Sequence, residues 1–296
     1  MSAVSPIGII SMFYVRPFQA EHLVLLPAMK AAGCDFVELL VPEPGELDLA
    51  GARAAIGRAG LGCVLAARVN PARDVSSADP AAHAAGVAYL KSCVDSARAL
   101  GATIVGGPIY GAPMVFAGRA PAPIGDAERE AKVARVVAGL KEAGAYAERH
   151  GIVLAVEPLN RFETDLCNTA RQGLALIDRV GSPAVKLMLD TFHMCMEEDD
   201  LAGAIRQAGQ AMVHFQANEN HRGFIGTGTV DWKAVCRALV DVGYAGPITL
   251  EPFRRNDDRL GVPLAQWRAP ARDESGDLAR SVRLLRATLD FAGAAS

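Results

Sequence analysis

Four polar side chains stand at the ends of four short apolar runs in the second half of this 296-residue chain. The runs read IVLAVEP, VKLMLDT, MVHFQAN and PITLEPF, and the polar residues are Glu157, Asp190, Gln216 and Glu251. If the runs are neighbouring parallel strands of a barrel, their carboxyl ends bring these side chains to one point. Three buried carboxylates repel one another without a cation, and oxygen ligands of this kind suit Mn²⁺ or Mg²⁺. The pattern therefore predicts a divalent-metal site.

Further polar residues follow the same runs. Arg161 and Glu163 come just after Glu157, and His193 comes three residues after Asp190. A surface ion pair would also explain Arg161 with a carboxylate, and a lone histidine is usually structural. Because such residues follow successive runs, we interpret them as parts of one site. The run at 211–217 and its following loop add His214, Glu219, His221 and Arg222.

Apolar runs alternate with longer amphipathic stretches along the whole chain. Eight such units in alternation predict a parallel sheet that closes into a single (β/α)8 TIM barrel over residues 1–296. An open doubly wound α/β domain would usually show a glycine-rich turn after the first strand, where this chain has Met12, Phe13 and Tyr14. The predicted strands are 6–13, 35–41, 62–68, 103–108, 152–157, 185–190, 211–217 and 247–252. The predicted helices are 18–32, 47–60, 79–100, 126–149, 169–180, 199–209 and 231–242, with a last one at about 276–292.

Local signals agree with this alternation. Thr169 and Gln172 have the spacing of a capping box at the start of a helix, and Gly181 is a predicted helix end. Asp231 is a predicted N-cap. Two long segments, 109–125 and 253–275, leave the carboxyl face of the predicted barrel. They are candidate lids or substrate walls, or else loops that pack on the surface or at an oligomer interface.

The composition argues against several functions. The formal net charge of −3 gives no electrostatic reason to expect nucleic acid or an anionic membrane surface as a partner. No apolar stretch approaches the roughly 20 residues that span a bilayer. The opening MSAVSPIGIISMFYV reads as a first strand rather than a signal peptide, so we expect a cytoplasmic protein. The six cysteines lack CxxC spacing, which predicts free thiols that are buried or partly buried.

With these residues in place, the chain resembles the ketose 3-epimerases, typified by D-tagatose, D-allulose and L-ribulose 3-epimerases, within the xylose-isomerase-like barrel superfamily. The resemblance follows the whole chain in strand order and is most specific between Glu157 and Glu251. The matching stretches are EPLNRFETDLCNTA, LDTFHMCMEE, ENHRGFIGTGTVDW and LEPF.

The resemblance implies a metal-dependent enzyme that acts on a free ketose and forms a homodimer or homotetramer. It implies that Glu157, Asp190 and Glu251 bind the metal, usually manganese or cobalt, with Mg²⁺ as a further alternative. The implied reaction is proton exchange at C3: one of the two glutamates removes the proton to give a cis-enediolate, and the other returns a proton to the opposite face. The residues that match the positions holding the O1–O3 end of the sugar are Glu163, His193 and Arg222.

The chain departs from the family at one metal ligand. The fourth ligand is typically a histidine, and by its spacing from Arg222 that position is Gln216 here. Because an amide oxygen can coordinate a hard cation, Gln216 is the predicted fourth ligand, with a preference for Mn²⁺ or Mg²⁺. His214 shares the same face of the strand and is interpreted as structural, with a substitute ligand as the alternative. Cys195 stands where relatives often carry asparagine.

Because of Gln216, other functions stay open. Within the superfamily they are a hydroxypyruvate-type isomerase, an inosose dehydratase or a subunit acting on 3-keto-glycosides. An endonuclease-IV-like phosphodiesterase would need a histidine-rich zinc cluster and a basic face, which the six histidines and the net charge oppose. A non-catalytic sugar-binding barrel would not need both glutamates. The GFIGTG segment at 223–228 could cradle a phosphate, although the family accepts unphosphorylated sugars.

Overall fold

Eight parallel strands form a closed barrel in the computed structural model, which describes residues 5–114, 124–253, 266–267 and 274–294. Each strand pairs with its neighbours in chain order, and β1 closes the ring against β8. The predicted TIM-barrel fold is confirmed. The strands are β1 (Ile7–Ile10), β2 (Phe36–Leu40), β3 (Gly62–Ala66), β4 (Ile104–Gly107), β5 (Val153–Val156), β6 (Val185–Asp190), β7 (Met212–Ala217) and β8 (Ile248–Leu250).

Helices cover the outside of this barrel. All eight predicted helical regions contain helix in the structure. Among the described residues none of the helices is both long and apolar enough to cross a membrane. The helices are α1 (Leu26–Ala31), α2 (Leu49–Arg58), α3 (Pro80–Leu100), α4 (Asp126–Arg149), α5 (Ala170–Val180), α6 (Thr191–Glu197), α7 (Leu201–Ala208), α8 (Trp232–Asp241) and α9 (Glu274–Ala294).

Most element ends differ from the predictions by one or two residues, and two differences at the start of the chain and one additional helix stand out. The first strand ends at Ile10, because Ser11–Phe13 turn into a 3-10 helix. The first helix, predicted over 18–32, begins as a 3-10 helix at Ala20–Leu25 and becomes α-helical only at Leu26. Helix α6 was not predicted. It is short, and Asp190 serves both as the last residue of β6 and as the N-cap of α6, accepting from the Phe192 N–H at 2.8 Å.

The predicted helix caps are present. The Thr169 side chain accepts from the Gln172 N–H, and the Gln172 side chain returns the contact, so the capping box is confirmed. Gly181 ends α5 in the left-handed conformation with φ 63°, which glycine adopts without steric cost. Asp231 caps α8 by accepting from two backbone N–H groups.

The barrel interior is filled by side chains that approach the strand backbones closely. A Cβ on Gly106 of β4 would lie 2.5 Å from Met188 Sδ and 3.2 Å from His214 Nδ1. Glycine therefore gives those two side chains their room. The six cysteines are free thiols, four buried and two partly buried, as predicted.

The two candidate lid segments lie largely outside the described residues, at 115–123, 254–265 and 268–273. Their described parts border a cavity at the carboxyl end of the barrel. Pro113, Met114, Phe253 and Gln266 line it, which agrees with the interpretation of these segments as substrate walls.

Candidate active site

The four predicted metal-site residues lie at the carboxyl ends of four consecutive strands. Glu157 directly follows β5, Asp190 ends β6, Gln216 is next to last in β7, and Glu251 directly follows β8. All four are buried, with exposed fractions between 1% and 5%. The strand register places Asp190 opposite Gln216. The structure thus brings them to the barrel end that carries active sites in this fold.

A cavity of about 260 Å³ opens at this end of the barrel. Both glutamates, Glu157 and Glu251, form part of its wall, with Glu163, His193 and Arg222. Most of the remaining wall is apolar, as in other small-molecule sites. Its apolar side chains include Met12, Leu40, Val69, Pro108, Leu159 and Phe192.

Arg222 supplies the positive charge among the carboxylates. Its Nη2 donates to Glu251 Oε2 at 2.6 Å and lies 3.3 Å from Asp190 Oδ2. The guanidinium also lies over the rings of Phe192 and Phe253, at 4.4 and 4.3 Å from their centroids. Burial lowers the pKa of Arg222, but the carboxylates of Glu251 and Asp190 raise it above its ordinary value. The side chain therefore stays charged inside the site.

The backbone of Arg222 is in the left-handed region, with φ 60°. This conformation costs a residue with a Cβ about 1–2 kcal/mol. Two hydrogen bonds hold it: the Arg222 N–H donates to the Glu219 carbonyl, and the Phe253 N–H donates to the Arg222 carbonyl, both at 2.9 Å. This strained backbone conformation places the guanidinium beside Glu251.

Glu219 anchors the loop that carries Arg222. Its fully buried carboxylate accepts from the backbone N–H of Gly226 at 2.7 Å and of Val230 at 3.2 Å, and from Trp232 Nε1 at 2.8 Å. Since this carboxylate already takes the Gly226 N–H of the glycine-rich segment and would repel an anion, the geometry argues against a phosphate cradle there.

His193 is neutral, and its ring orientation is fixed. Nδ1 accepts from the Asn160 backbone N–H at 3.1 Å and lies 2.8 Å from Asn160 Nδ2. Nε2 lies 3.6 Å from Glu157 Oε1 and from Asp190 Oδ2, and 3.1 Å from Arg222 Nη1. Burial and the charge of Arg222 lower the pKa of His193 well below its ordinary value. His193 thus faces two carboxylates and the guanidinium through Nε2.

Asp190 and Glu251 are connected by Asn218, which sequence reasoning missed. Asn218 Nδ2 donates to Asp190 Oδ1 at 2.9 Å, and Asn218 Oδ1 accepts from the Glu251 N–H at 3.0 Å. The other Asp190 oxygen, Oδ2, is buried without a hydrogen-bond partner. Asn218 comes two residues after Gln216, and its position just past the strand end was the available signal.

Gln216 makes its hydrogen bond with Glu38, a residue that is not part of the cavity wall. Its Nε2 donates to Glu38 Oε1 at 3.1 Å, and its Oε1 is buried without a partner. Glu38 lies on β2 and is fully buried. His214 is beside it, with Nε2 3.3 Å from Glu38 Oε2 and 2.9 Å from Thr249 Oγ1. These contacts agree with the interpretation of His214 as structural.

The acidic groups of the site differ in their pKa directions. Burial raises the pKa of Glu157 well above its ordinary value, and the neighbouring Glu251 and Asp190 raise it further. Burial also raises the pKa of Glu251, against the opposing charge of Arg222. For Glu38, burial acts in the same direction, but the contact with His214 and further hydrogen bonds leave its pKa below the ordinary value.

The donor set fits a hard divalent cation. Asp190 Oδ2 and Gln216 Oε1 are buried oxygens without hydrogen-bond partners, and a cation would favour the charged forms of Glu157 and Glu251. Among the described residues, Glu157, Asp190 and His193 have ligand atoms within 4.8 Å of one another. This group contains His193 in place of Glu251, so the imidazole is a candidate ligand beside the carboxylate oxygens.

Other predicted residues lie at the edge of the site. Glu163 lines the cavity, and its Oε1 accepts from Asn160 Nδ2 at 3.0 Å. Arg161 instead forms an ion pair with Glu197 at 2.9 Å and is largely exposed, which is the surface-pair interpretation. His221 contacts the Thr227 carbonyl at 3.1 Å, within its own loop.

Comparison with known proteins gives consistent similarities over most of the chain. The sequence profile of the xylose isomerase-like TIM-barrel family matches residues 26–288. The L-ribulose 3-epimerase of Mesorhizobium japonicum is 37% identical over 255 residues, which cover 84% of this chain and 82% of that protein. The D-psicose 3-epimerase of Agrobacterium fabrum is 31% identical over 266 residues, covering 88% of this chain and 89% of its own. A solved structure of an L-ribulose 3-epimerase superposes with a TM-score of 0.90 and 32% identity, covering 98% of this chain and 96% of that one.

Proposed function

This chain belongs to the ketose 3-epimerases of the xylose isomerase-like TIM-barrel family, and we propose that it inverts C3 of a free ketose with the help of a bound divalent metal ion. The observation that carries the proposal is the position of Glu157 and Glu251. Both lie in the wall of one cavity, at the ends of different strands. Inversion of a carbon needs one group that removes a proton and another that returns it to the opposite face.

The two glutamates act as the acid and the base. One removes the C3 proton, and the other protonates the resulting cis-enediolate from the opposite side. A positioned carboxyl group contributes typically about 10²–10⁴-fold to such a step. Their burial among apolar and charged side chains limits the access of water to the intermediate, while each carboxyl group can exchange its proton with solvent between turnovers.

Three further residues hold the substrate. Arg222 presents a charged guanidinium that can stabilise negative charge developing on the enediolate oxygens, and His193 lies beside it in the cavity wall. Glu163 lies in the same cavity wall and accepts from a sugar hydroxyl. Together they fix the O1–O3 end of the ketose.

Glu157, Asp190, Gln216 and Glu251 would hold the metal ion. When bound, a divalent ion of this kind supplies Lewis-acid polarisation of the C2 carbonyl. Mn²⁺ is the proposed ion, with Co²⁺ or Mg²⁺ as alternatives, because the donors are three carboxylates and one amide oxygen.

The cellular setting and assembly belong to the same proposal. The apolar run of β1 is built into the barrel through pairing with β2 and β8, which supports a cytoplasmic protein over one with a removable signal in this run. A homodimer or homotetramer, which the resemblance to the family implies, is part of the same proposal.

Proton exchange in D₂O tests the proposed reaction. With Mn²⁺ present, we expect deuterium at C3 of D-fructose, D-tagatose or L-ribulose, together with the C3 epimer, as measured by NMR. The metal-stripped protein should show neither. Deuterium only at C1, or turnover only of a keto-inositol or a 3-keto-glucoside, would contradict the proposal and favour another reaction of the superfamily.

Gln216 is tested through two substitutions with opposite expected results. Gln216→His should keep or tighten Mn²⁺ binding, because imidazole is also a ligand for this ion. Gln216→Leu should weaken Mn²⁺ binding by at least the roughly 10–100-fold that loss of a residue behind a metal ligand costs. The measurement is calorimetric titration of Mn²⁺ into the stripped variants. Unchanged affinity in both, with a changed KM, would identify Gln216 as a substrate contact instead.

A further inference from the structure

Glu38 is a buried carboxylate that the proposed reaction does not use. Glu38 belongs to β2 and is fully buried. On the ring of strands, β8 and β1 lie between β2 and β7, the strand that carries Gln216. A charged group in the interior of a barrel is costly unless several polar partners hold it. Its position behind the metal-site residue Gln216, rather than in the cavity wall, raises the question of what it does there.

The contact between Glu38 and Gln216 fixes the orientation of the amide. Gln216 Nε2 lies 3.1 Å from Glu38 Oε1 and donates to it. The reversed amide would place its oxygen against a carboxylate oxygen, and two acceptors repel. Only the observed orientation is therefore favourable, and it directs Gln216 Oε1 away from Glu38, where this oxygen is buried without a partner.

Glu38 lies against His214 of β7, which in turn contacts Thr249 of β8. His214 Nε2 is 3.3 Å from Glu38 Oε2 and 2.9 Å from Thr249 Oγ1. All three side chains are fully buried. The contact reaches Oε2, the oxygen that Gln216 does not use, and Oε2 makes no hydrogen bond within the described residues. Because Glu38 is fully buried in the packed interior of the barrel, Oε1 is nevertheless a fixed acceptor for the amide.

We propose that Glu38 is a positioning residue that holds the Gln216 amide with its oxygen toward the metal site. The inference rests on the proposed function, because it assigns Gln216 Oε1 to the ion. An amide can present either an oxygen or an NH₂ group, and only the oxygen binds a cation. A glutamine ligand therefore depends on a fixed acceptor behind it, as metal-binding histidines depend on theirs.

A double-mutant cycle on Mn²⁺ affinity tests this proposal. The proteins are the wild type, Glu38→Met, Gln216→Leu and the double variant, each stripped of metal and titrated with Mn²⁺ alone by calorimetry. Glu38→Met should weaken binding by about 10–100-fold in the wild-type background. In the Gln216→Leu background the same change should have little effect on the Mn²⁺ Kd, because no amide remains to be oriented.

A merely structural role for Glu38 gives a different pattern. Glu38→Met would then weaken Mn²⁺ binding equally in both backgrounds, and that result would overturn the proposal, as would full affinity in the single variant. If Glu38→Met does not fold, Glu38→Asp withdraws the carboxylate by one methylene while keeping the charge, and the cycle is repeated with the same expectation. A wild type that binds no Mn²⁺ overturns the proposed metal site and this inference together, whereas equal losses overturn this inference alone.

Discussion

Replacing Glu251 or Glu157 by glutamine should lower the kcat of C3 epimerisation by a factor of about 10²–10⁴ in each case. The amide can still occupy the position and offer an oxygen, but it cannot take up or release the proton. Both residues are buried in the wall of one cavity, so water has little access to replace the missing group. The measurement is steady-state epimerisation of a ketose with saturating Mn²⁺.

Deuterium exchange separates the two roles. In each direction only one glutamate removes the C3 proton, so one variant should retain exchange of one epimer while losing its conversion to the other. Glu130→Gln is the matched control, because Glu130 pairs with Arg179 on α4 and α5 and is largely exposed. Near wild-type turnover in either active-site variant would rule out a mechanism with two glutamates.

Removing the Arg222 cation should destabilise the metal-free protein by about 3–5 kcal/mol, the usual cost of leaving a buried charge without its partner. Arg222→Met deletes the contacts to Glu251 and Asp190 but keeps an apolar chain between the rings of Phe192 and Phe253. Because a bound cation would replace the lost charge, Mn²⁺ should raise the Tm of this variant more than that of the wild type. Differential scanning calorimetry with and without Mn²⁺ measures both effects.

Arg73→Met provides the control for that experiment. Arg73 forms a two-point contact with Glu43 and lies against the ring of Tyr89, but this pair is partly exposed. Its loss should cost less and should not depend on Mn²⁺. An Arg222→Met protein as stable as the wild type without metal would show that Arg222 does not neutralise the carboxylates.

The strands were predictable because eight short apolar runs alternate with amphipathic stretches along the chain, and several of the runs end in a polar residue. Glu157, Asp190 and Glu251 stand out for the same reason: each interrupts a buried run at its carboxyl end. Helix α6 could not be predicted, since it spans only Thr191–Glu197 and its N-cap is also the last residue of a strand. Short helices of this kind are set by tertiary contacts more than by propensity.

Glu38 and Asn218 were missed for different reasons. Glu38 lies within the run FVELL, and a single acidic residue in a strand usually faces solvent. Only the closed barrel shows that this one faces inward toward Gln216. Asn218 follows a strand end, as a site residue should, but its role depends on two contacts with Asp190 and Glu251 that no local pattern encodes. Likewise, the surroundings of Arg222 could not be predicted, because its neighbours Asp190, Phe192 and Glu251 are distant from it in the chain.

The hydrogen bond from Gln216 to Glu38 joins β7 to β2, two strands that are separated on the ring by β8 and β1. It can form only after Ile7 has paired with Ile248 and the sheet has become a cylinder. A half-barrel that contains β5–β8 carries every oxygen assigned to the ion. It lacks Glu38 of β2, the acceptor that orients the Gln216 amide. High-affinity Mn²⁺ binding would therefore develop late in folding, when β1 pairs with β8 and closes the barrel.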